Sequence, residues 1–286
     1  MISRALVALI ALTCPTAAVA PAAPVAPKAA EKTLTFFVAS DTHFGVPGIE
    51  ETNRRLIDEL NGLPGLEYPP EIGGRVETPR GVLITGDLTD YSTEEQWQAF
   101  ERFYGLDGTD GLLRFPVKEA LGNHDFMGDS PVVRHIARRH GGIAYSFDWG
   151  RLHVACLGMY PNAERLRWLE ADLRAVAPGR PVVLFFHYGI DGPWSQSWES
   201  TEEREELARV LQGHRIAAIF HGHAHQAGSY RWREYDVFRP GSPKHSSHEV
   251  IAVRIRGDEL AVAYRDFDRS AWTQAVVRTI PPAVQR

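Results

Sequence analysis

The sequence predicts an α/β protein in which two mixed β-sheets pack together with helices outside. Three observations lead there. Leu34–Ala39, Val82–Thr85, Val182–Phe186 and Ile216–Phe220 are continuous apolar runs, the pattern of strands covered on both faces. Segments with helical periodicity lie between them. After Phe220 the chain changes to short strands separated by turns. The first half thus reads β-α-β and the second is β-rich, and two layered mixed sheets accommodate both. A purely parallel, doubly wound sheet is the alternative.

The helical segments are Glu51–Leu60, Thr93–Tyr104, Val132–Arg139, Ala163–Val176 and Thr201–Leu211. Ser92 or Thr93 ahead of Glu95 or Gln96 reads as a helix start, as does Thr201 ahead of Glu202 and Glu203; hydroxyls cap the first free amides and acids suit the positive end. Pro178-Gly179 stops the fourth helix. Tyr145–Trp149 and Leu152–Leu157 flank Gly150-Arg151 as a tight hairpin. Tyr230–Phe238, Val250–Arg256, Leu260–Asp266 and Thr273–Thr279 complete the strands.

The N-terminus reads as an export leader. Arg4 supplies a positive start, Ala5–Leu12 a short apolar stretch and Ala18-Val19-Ala20 a cleavage pattern. The stretch falls short of the ~20 residues needed to span a bilayer. Cleavage after Ala20 sends the protein to the periplasm or outside the cell. A lipoprotein signal acylated at Cys14 is the rival, and Thr13 fits it poorly. Pro21–Lys32, rich in Ala and Pro, is expected to be a disordered lead-in. Residues 33–286 then form one large domain. With the leader gone, Cys156 has no disulfide partner and is expected to be a small buried hydrophobe. A formal charge of −5 offers no support for binding nucleic acid or an acidic membrane.

Five segments carry chemistry: Asp41-Thr42-His43, Gly86-Asp87, Gly122-Asn123-His124-Asp125, His187 and Gly222-His223-Ala224-His225. They supply oxygen and nitrogen ligands and no thiolate, a set suited to hard-to-borderline metal ions. Asp41, Asp87, His187 and the last group each follow an apolar run almost at once. Strand ends in α/β proteins are where ligands bind, so four runs deliver polar groups to one edge. Asp41 and His43 are two apart, as are His223 and His225; in extended chain each pair points to one side. Each segment alone is weak evidence. An isolated histidine such as His187 is commonly a satisfied core residue; the ordered set is what carries the argument.

The series D-x-H, G-D, G-N-H-D, H, G-H-x-H, spanning residues 36 to 225, resembles the calcineurin-like metallophosphoesterases. The resemblance implies a four-layer α/β/β/α sandwich and a site for two divalent metal ions: Mn, Fe or Zn. It also implies that Asp41, His43, Asp87 and His225 hold one ion while Asp87, Asn123, His187 and His223 hold the other, with Asp87 bridging. The activity implied is hydrolysis of a phosphoester by a metal-bound hydroxide. Two divalent ions against two carboxylates leave a net positive centre that attracts phosphate oxygens. His124 is expected not to ligate; held by Asp125, it stays protonated and stabilises or protonates the leaving oxygen. In purple acid phosphatases of the same superfamily a Tyr lies three residues after the bridging Asp. Here that position is Asp90, so no iron–tyrosinate colour is expected.

Substrate contacts are expected from Tyr188, from Trp194 and Trp198 in the Gly189–Ser200 loop, and from Lys244 and His245 in the Gly241–His248 loop. The Trp-bearing loop reads equally well as a lid packed on the body. His135, His140, His153 and His214 are read as surface or packing residues, and His221 as pointing away from the ligand set. A small-molecule or lipid-derived phosphodiester is slightly favoured, because no Arg cluster awaits a monoester dianion. The alternatives are a phosphomonoesterase or protein phosphatase of the same fold, or a non-catalytic metal-binding exported domain.

Overall fold

The computed structural model describes residues 33–191 and 201–282. The expectations for the leader, the lead-in, Trp194 and Trp198 lie outside the described residues. Strands β1 (Thr33–Ala39), β2 (Val82–Ile84) and β3 (Val117–Glu119) pair in parallel and alternate with helices α1 (Ile49–Gly62) and α2 (Glu94–Tyr104). Thr93 caps α2, its hydroxyl accepting the Gln96 amide. Helix α3 (Pro131–His140) leads to the expected hairpin of β4 (Tyr145–Trp149) and β5 (Leu152–Cys156). Then come α4 (Ala163–Ala175), β6 (Pro181–Phe185), α5 (Thr201–Leu211) and β7 (Arg215–Phe220). The chain closes with β8 (Gly228–Trp232), β9 (Tyr235–Arg239), β10 (Glu249–Arg256), β11 (Glu259–Asp266) and β12 (Ala271–Thr279).

One sheet has the order β12-β11-β10-β1-β2-β3 and the other β4-β5-β6-β7-β9-β8. Both are mixed, which sets aside the doubly wound alternative. Alternation along β1 explains the layers. Phe37 and Ala39 pack outward with Leu56, Ile57, Trp97, Phe100 and Ile136 of α1–α3. Phe36 and Val38 face inward with Val183, Phe185, Ala218 and Phe220 of the second sheet. On that sheet's far side Val182, Leu184 and Ile219 meet Leu166, Leu169, Leu207 and Leu211 of α4 and α5. The result is a four-layer α/β/β/α sandwich. Each such side chain contributes about 1.5–3 kcal/mol by leaving water, and burial on both faces accounts for the unbroken apolar runs.

Two details differ from expectation. Strand β3 was not anticipated; it is three residues long and carries a buried Glu119 that pairs with Arg139 and His140. Tyr230–Phe238 is a hairpin, not one strand, because Arg233 turns the chain at a left-handed φ of 54°. Cys156 is buried and free as expected, its thiol pushed up to about 12 by burial. No helix among the described residues is long and apolar enough to cross a membrane.

His153 gives the fold a pH dependence. Its Nδ1 lies 2.9 Å from Asp148 Oδ1 and its Nε2 2.8 Å from Asp172 Oδ2. Burial lowers its pKa, but the hydrogen bonds to Asp172 and Asp148 outweigh this and raise it. A folded pKa above the unfolded one stabilises fully below about pH 6.5, and that stability is lost as pH rises through the folded value. Urea unfolding should show a wild-type advantage over His153→Gln that is full at about pH 6 and shrinks as pH rises above the ordinary histidine range. An advantage that does not change with pH would contradict this.

Candidate metal centre

Four of the five chemistry-bearing segments place a ligand within three residues of a strand end, Asp41 after β1, Asp87 after β2, His187 after β6 and His223 after β7, and Asn123 lies four residues after β3. The loops after β1 and β2 bind each other, Asp41 N donating to Gly86 O at 3.0 Å and His43 N to Asp87 O at 3.0 Å. Asp41, His43, Asp87, His223 and His225 all have positive φ, between 46° and 67°. The expected same-side pairing of Asp41 with His43 and of His223 with His225 therefore does not arise from extended chain. Left-handed turns beyond the strand ends aim these side chains inward. That backbone region costs L-residues roughly 1–2 kcal/mol each, a cost that tertiary structure sustains at functional sites.

The side chains converge. His225 Nε2 lies 3.1 Å from Asp41 Oδ1 and 3.1 Å from His43 Nε2. His43 Nε2 is 3.6 Å from Asp87 Oδ2. On the other side His187 Nε2 is 3.2 Å from Asp87 Oδ2 and 3.2 Å from Asn123 Oδ1. The His223 ring centre is 5.0 Å from that of His187. Two residue groups could each hold a cation: Asp41, His43, Asp87 and His225, and Asp87, His187 and His223. Asp87 belongs to both. Gly122 admits this approach, since a Cβ there would overlap the Asp87 carboxylate.

Tautomers follow from the outer contacts. His187 Nδ1 donates to Thr85 O at 2.9 Å, which leaves Nε2 facing inward. His43 Nδ1 faces Asp90 Oδ1 at 3.2 Å with the same consequence. Burial lowers His43 and His223 to about 4, so both imidazoles are neutral. His187 is driven the other way: burial opposes its charge, yet the Asp87 carboxylate raises it to about 9. Asp41 and Asp87 remain below the usual carboxylate range. Burial works against their ionisation but is outweighed by His225 and His187 at Asp41 and by His187 at Asp87.

The array thus calls for positive charge: two buried carboxylates face the neutral His43 and His223 imidazoles, and their charge is what holds a proton on His187. Neutral imidazoles and carboxylates are the donor set of a divalent transition-metal site, and the residues fit one. A third group of His43, Asp90 and His124 is already served by a cation, because Lys244 Nζ lies 2.9 Å from Asp90 Oδ1.

The expected support of His124 by Asp125 is corrected. Asp125 is buried and turned away; its oxygens accept the amides of Leu88 (3.1 Å), Thr89 (3.0 Å) and Gly122 (2.9 Å) and the Thr89 hydroxyl (2.9 Å). It braces the loop after β2 against the His124 turn. Burial and the Asp87 charge raise it to about 6. His124 is held instead by Asp90, donating from Nδ1 to the Asp90 carbonyl at 2.7 Å, while its amide donates to Asp87 Oδ1 at 2.9 Å. Asp90 is the residue that sequence reasoning missed. Its place three positions after Asp87 was the available signal.

Among the expected substrate residues, the Tyr188 ring lies 4.7 Å from His223 and stacks on Tyr160 at 5.7 Å. The His245 ring is 4.7 Å from His225, and Lys244 reaches Asp90. His221 is buried and bonded to the Tyr230 hydroxyl at 2.9 Å, outside the ligand groups. His135 stacks on Trp97 and His140 on Tyr145, as packing residues do.

Residues 34–227 match the sequence model of the calcineurin-like phosphoesterase family. A protein named probable glycerophosphodiester phosphodiesterase GpdQ, from Arcobacter nitrofigilis, is 28% identical over 206 residues, covering 64% of this chain and 68% of its own. The 3',5'-cyclic-nucleotide phosphodiesterase alr5338 of Nostoc is 23% identical, covering 69% of this chain and 76% of its own. Purple acid phosphatase 21 of Arabidopsis thaliana is 23% identical over 55% of this chain and 38% of its own. Among solved structures, GAP50 of Plasmodium superposes with a TM-score of 0.63 at 11% identity, over 88% of this chain and 90% of that one. Purple acid phosphatase PPD1 from yellow lupin (Lupinus luteus) seeds gives 0.57 at 13% identity over 86% of this chain, which spans about half (54%) of that protein. At these identities the two structures establish the fold alone. With the family match over most of the sandwich and the ligand groups at its strand ends, this chain belongs to the calcineurin-like phosphoesterase family, as a metal-dependent hydrolase acting on phosphoric esters.

Proposed function

We propose that this chain is an exported phosphoesterase with a binuclear metal centre, acting on phosphodiesters in preference to monoesters. The observation that carries the reading is Asp87, one carboxylate common to two converging ligand groups. In this reading Asp41, His43, Asp87 and His225 hold one ion, while Asp87, Asn123, His187 and His223 hold the other. Mn, Fe(II) and Zn suit the donors. When bound, such a pair supplies Lewis-acid charge for a phosphoryl oxygen and lowers the pKa of water toward neutrality.

The chain's own groups do the rest. His187 and His43 are fixed by Thr85 and Asp90 with one nitrogen presented inward. His124, with Nδ1 committed to the Asp90 carbonyl, is left with Nε2 to deliver a proton to the departing oxygen. Tyr188 and His245 flank the two ligand groups, where a small-molecule or lipid-derived leaving group would rest. The leader Met1–Ala20 supports export.

Diester preference is supported by the two phosphodiesterase relatives and by the engagement of Lys244 with Asp90, which commits that cation within the protein. The purple acid phosphatase relatives favour the monoester as the second reading. Hydrolysis of bis(p-nitrophenyl) phosphate and p-nitrophenyl phosphate by protein reconstituted with Mn, Zn or Fe(II) separates them. The diester should be cleaved faster, and His223→Ala should abolish it. Faster monoester cleavage would assign a phosphatase; cleavage of neither by metal-loaded protein would favour the non-catalytic domain.

A further inference from the structure

The connection from β9 to β10 crosses from the second sheet to the first, passing the metal centre. It is held rigidly there. The buried Ser242 donates its hydroxyl to the Asp41 carbonyl at 2.9 Å and accepts the Lys244 amide at 3.0 Å. Ser242 N donates to Ser247 O and Gly241 N to Glu249 O, both at 2.8 Å. A Cβ on Gly241 would overlap the Ser247 carbonyl, so the turn closes only around glycine. Lys244 leaves this turn with its Nζ 2.9 Å from Asp90 Oδ1 and 3.4 Å from His43 Nδ1.

We propose that Lys244 is a positioning residue for one half of the metal centre: it locks the Asp90 carboxylate against the outer nitrogen of His43. The inference rests on the binuclear reading above. An ammonium only donates, so a proton carried on His43 Nδ1 has Asp90 Oδ1, at 3.2 Å, as its acceptor and not Lys244. Both donors meet on the same oxygen, Asp90 Oδ1. That oxygen selects the His43 tautomer whose Nε2 lone pair faces Asp87 and Asp41, the carboxylate–histidine arrangement that orients metal ligands. The Asp90 side chain is only 13% exposed, so without Lys244 its charge is poorly paired and free to turn toward water. His43 then loses the partner that specifies its tautomer.

The other half of the centre does not depend on this contact. His187 takes its outer hydrogen bond from the Thr85 backbone carbonyl, which no change at position 244 removes. His124 donates to the Asp90 carbonyl at 2.7 Å, with the Asp90 carboxylate farther off at 3.5 Å. Lys244 therefore acts on one ion and leaves the other as an internal reference.

The test is calorimetric titration of chelator-stripped full-length protein with Zn or Mn, checked by elemental analysis, with inorganic phosphate affinity measured in parallel. Wild type should bind two ions. Lys244→Met should weaken one of them by about 10–100-fold, the range for loss of a ligand-orienting partner, and leave the other unchanged. Lys244→Arg should recover most of the loss, and Asp90→Asn should reproduce it. Should Lys244→Met not fold, Asp90→Asn alone carries the prediction. Equal weakening of both ions, or of neither, would overturn the proposal. So would unchanged metal affinity with weakened phosphate binding, which would make Lys244 a substrate contact. Fewer than two ions in wild type would instead refute the binuclear reading itself.

Discussion

Asp87→Asn should release metal from both halves of the centre and lower phosphoester turnover on the order of 10³-fold, several kcal/mol at about 1.4 kcal/mol per decade. The substitution keeps the shape and removes one charge. Asp87 Oδ1 can still receive the His124 amide, so the turn carrying Asn123 and His124 stays in place. Oδ2 is the atom that matters: it lies between His187 at 3.2 Å and His43 at 3.6 Å. Replacing it with an amide group weakens both ligand sets at once. Elemental analysis after dialysis, with thermal unfolding as a check on folding, gives the answer. Full metal occupancy in a folded variant would sink the shared role of Asp87.

His124→Ala should reduce turnover by about 10²–10⁴-fold, the range for a positioned acid or base, with metal content unchanged. Its ring stands edge-on to His43 at 4.7 Å and is 25% exposed, so it borders the centre and reaches solvent. Nδ1 is spent on the Asp90 carbonyl and Nε2 is the working atom. A proton-donor role makes the loss largest for poor leaving groups and smallest for p-nitrophenolate, which needs no proton to depart. Comparing kcat for alkyl and nitrophenyl esters therefore reads the role directly. Equal losses across leaving groups would assign His124 to binding or transition-state charge.

Much of this was legible in the sequence, for physical reasons. Strands β1, β2, β6 and β7 are covered on both faces and read as unbroken apolar runs. Strand β3 is short and polar, and its Glu119 is buried only because Arg139 and His140 reach it from α3; nothing local announces that. The β8–β9 turn escaped because Arg233, not glycine, takes the left-handed conformation. At the site, residue types and order were readable since metal chemistry restricts the donors. Their geometry was not: five inward-facing residues sit in left-handed turns stabilised by pairing between distant loops. Asp125 looked like the partner of His124 by adjacency, whereas four donors from two loops draw it away. Asp90 took that role through a tertiary contact across 34 residues.

The central claim is that two metal ions share Asp87. Anomalous diffraction at the Mn edge, from crystals of Mn-loaded protein, tests it most directly. Two peaks should flank Asp87, one among Asp41, His43 and His225, the other among Asn123, His187 and His223, with the Asp87 carboxylate touching both. A single peak, or two peaks with Asp87 bound to only one, would contradict the account.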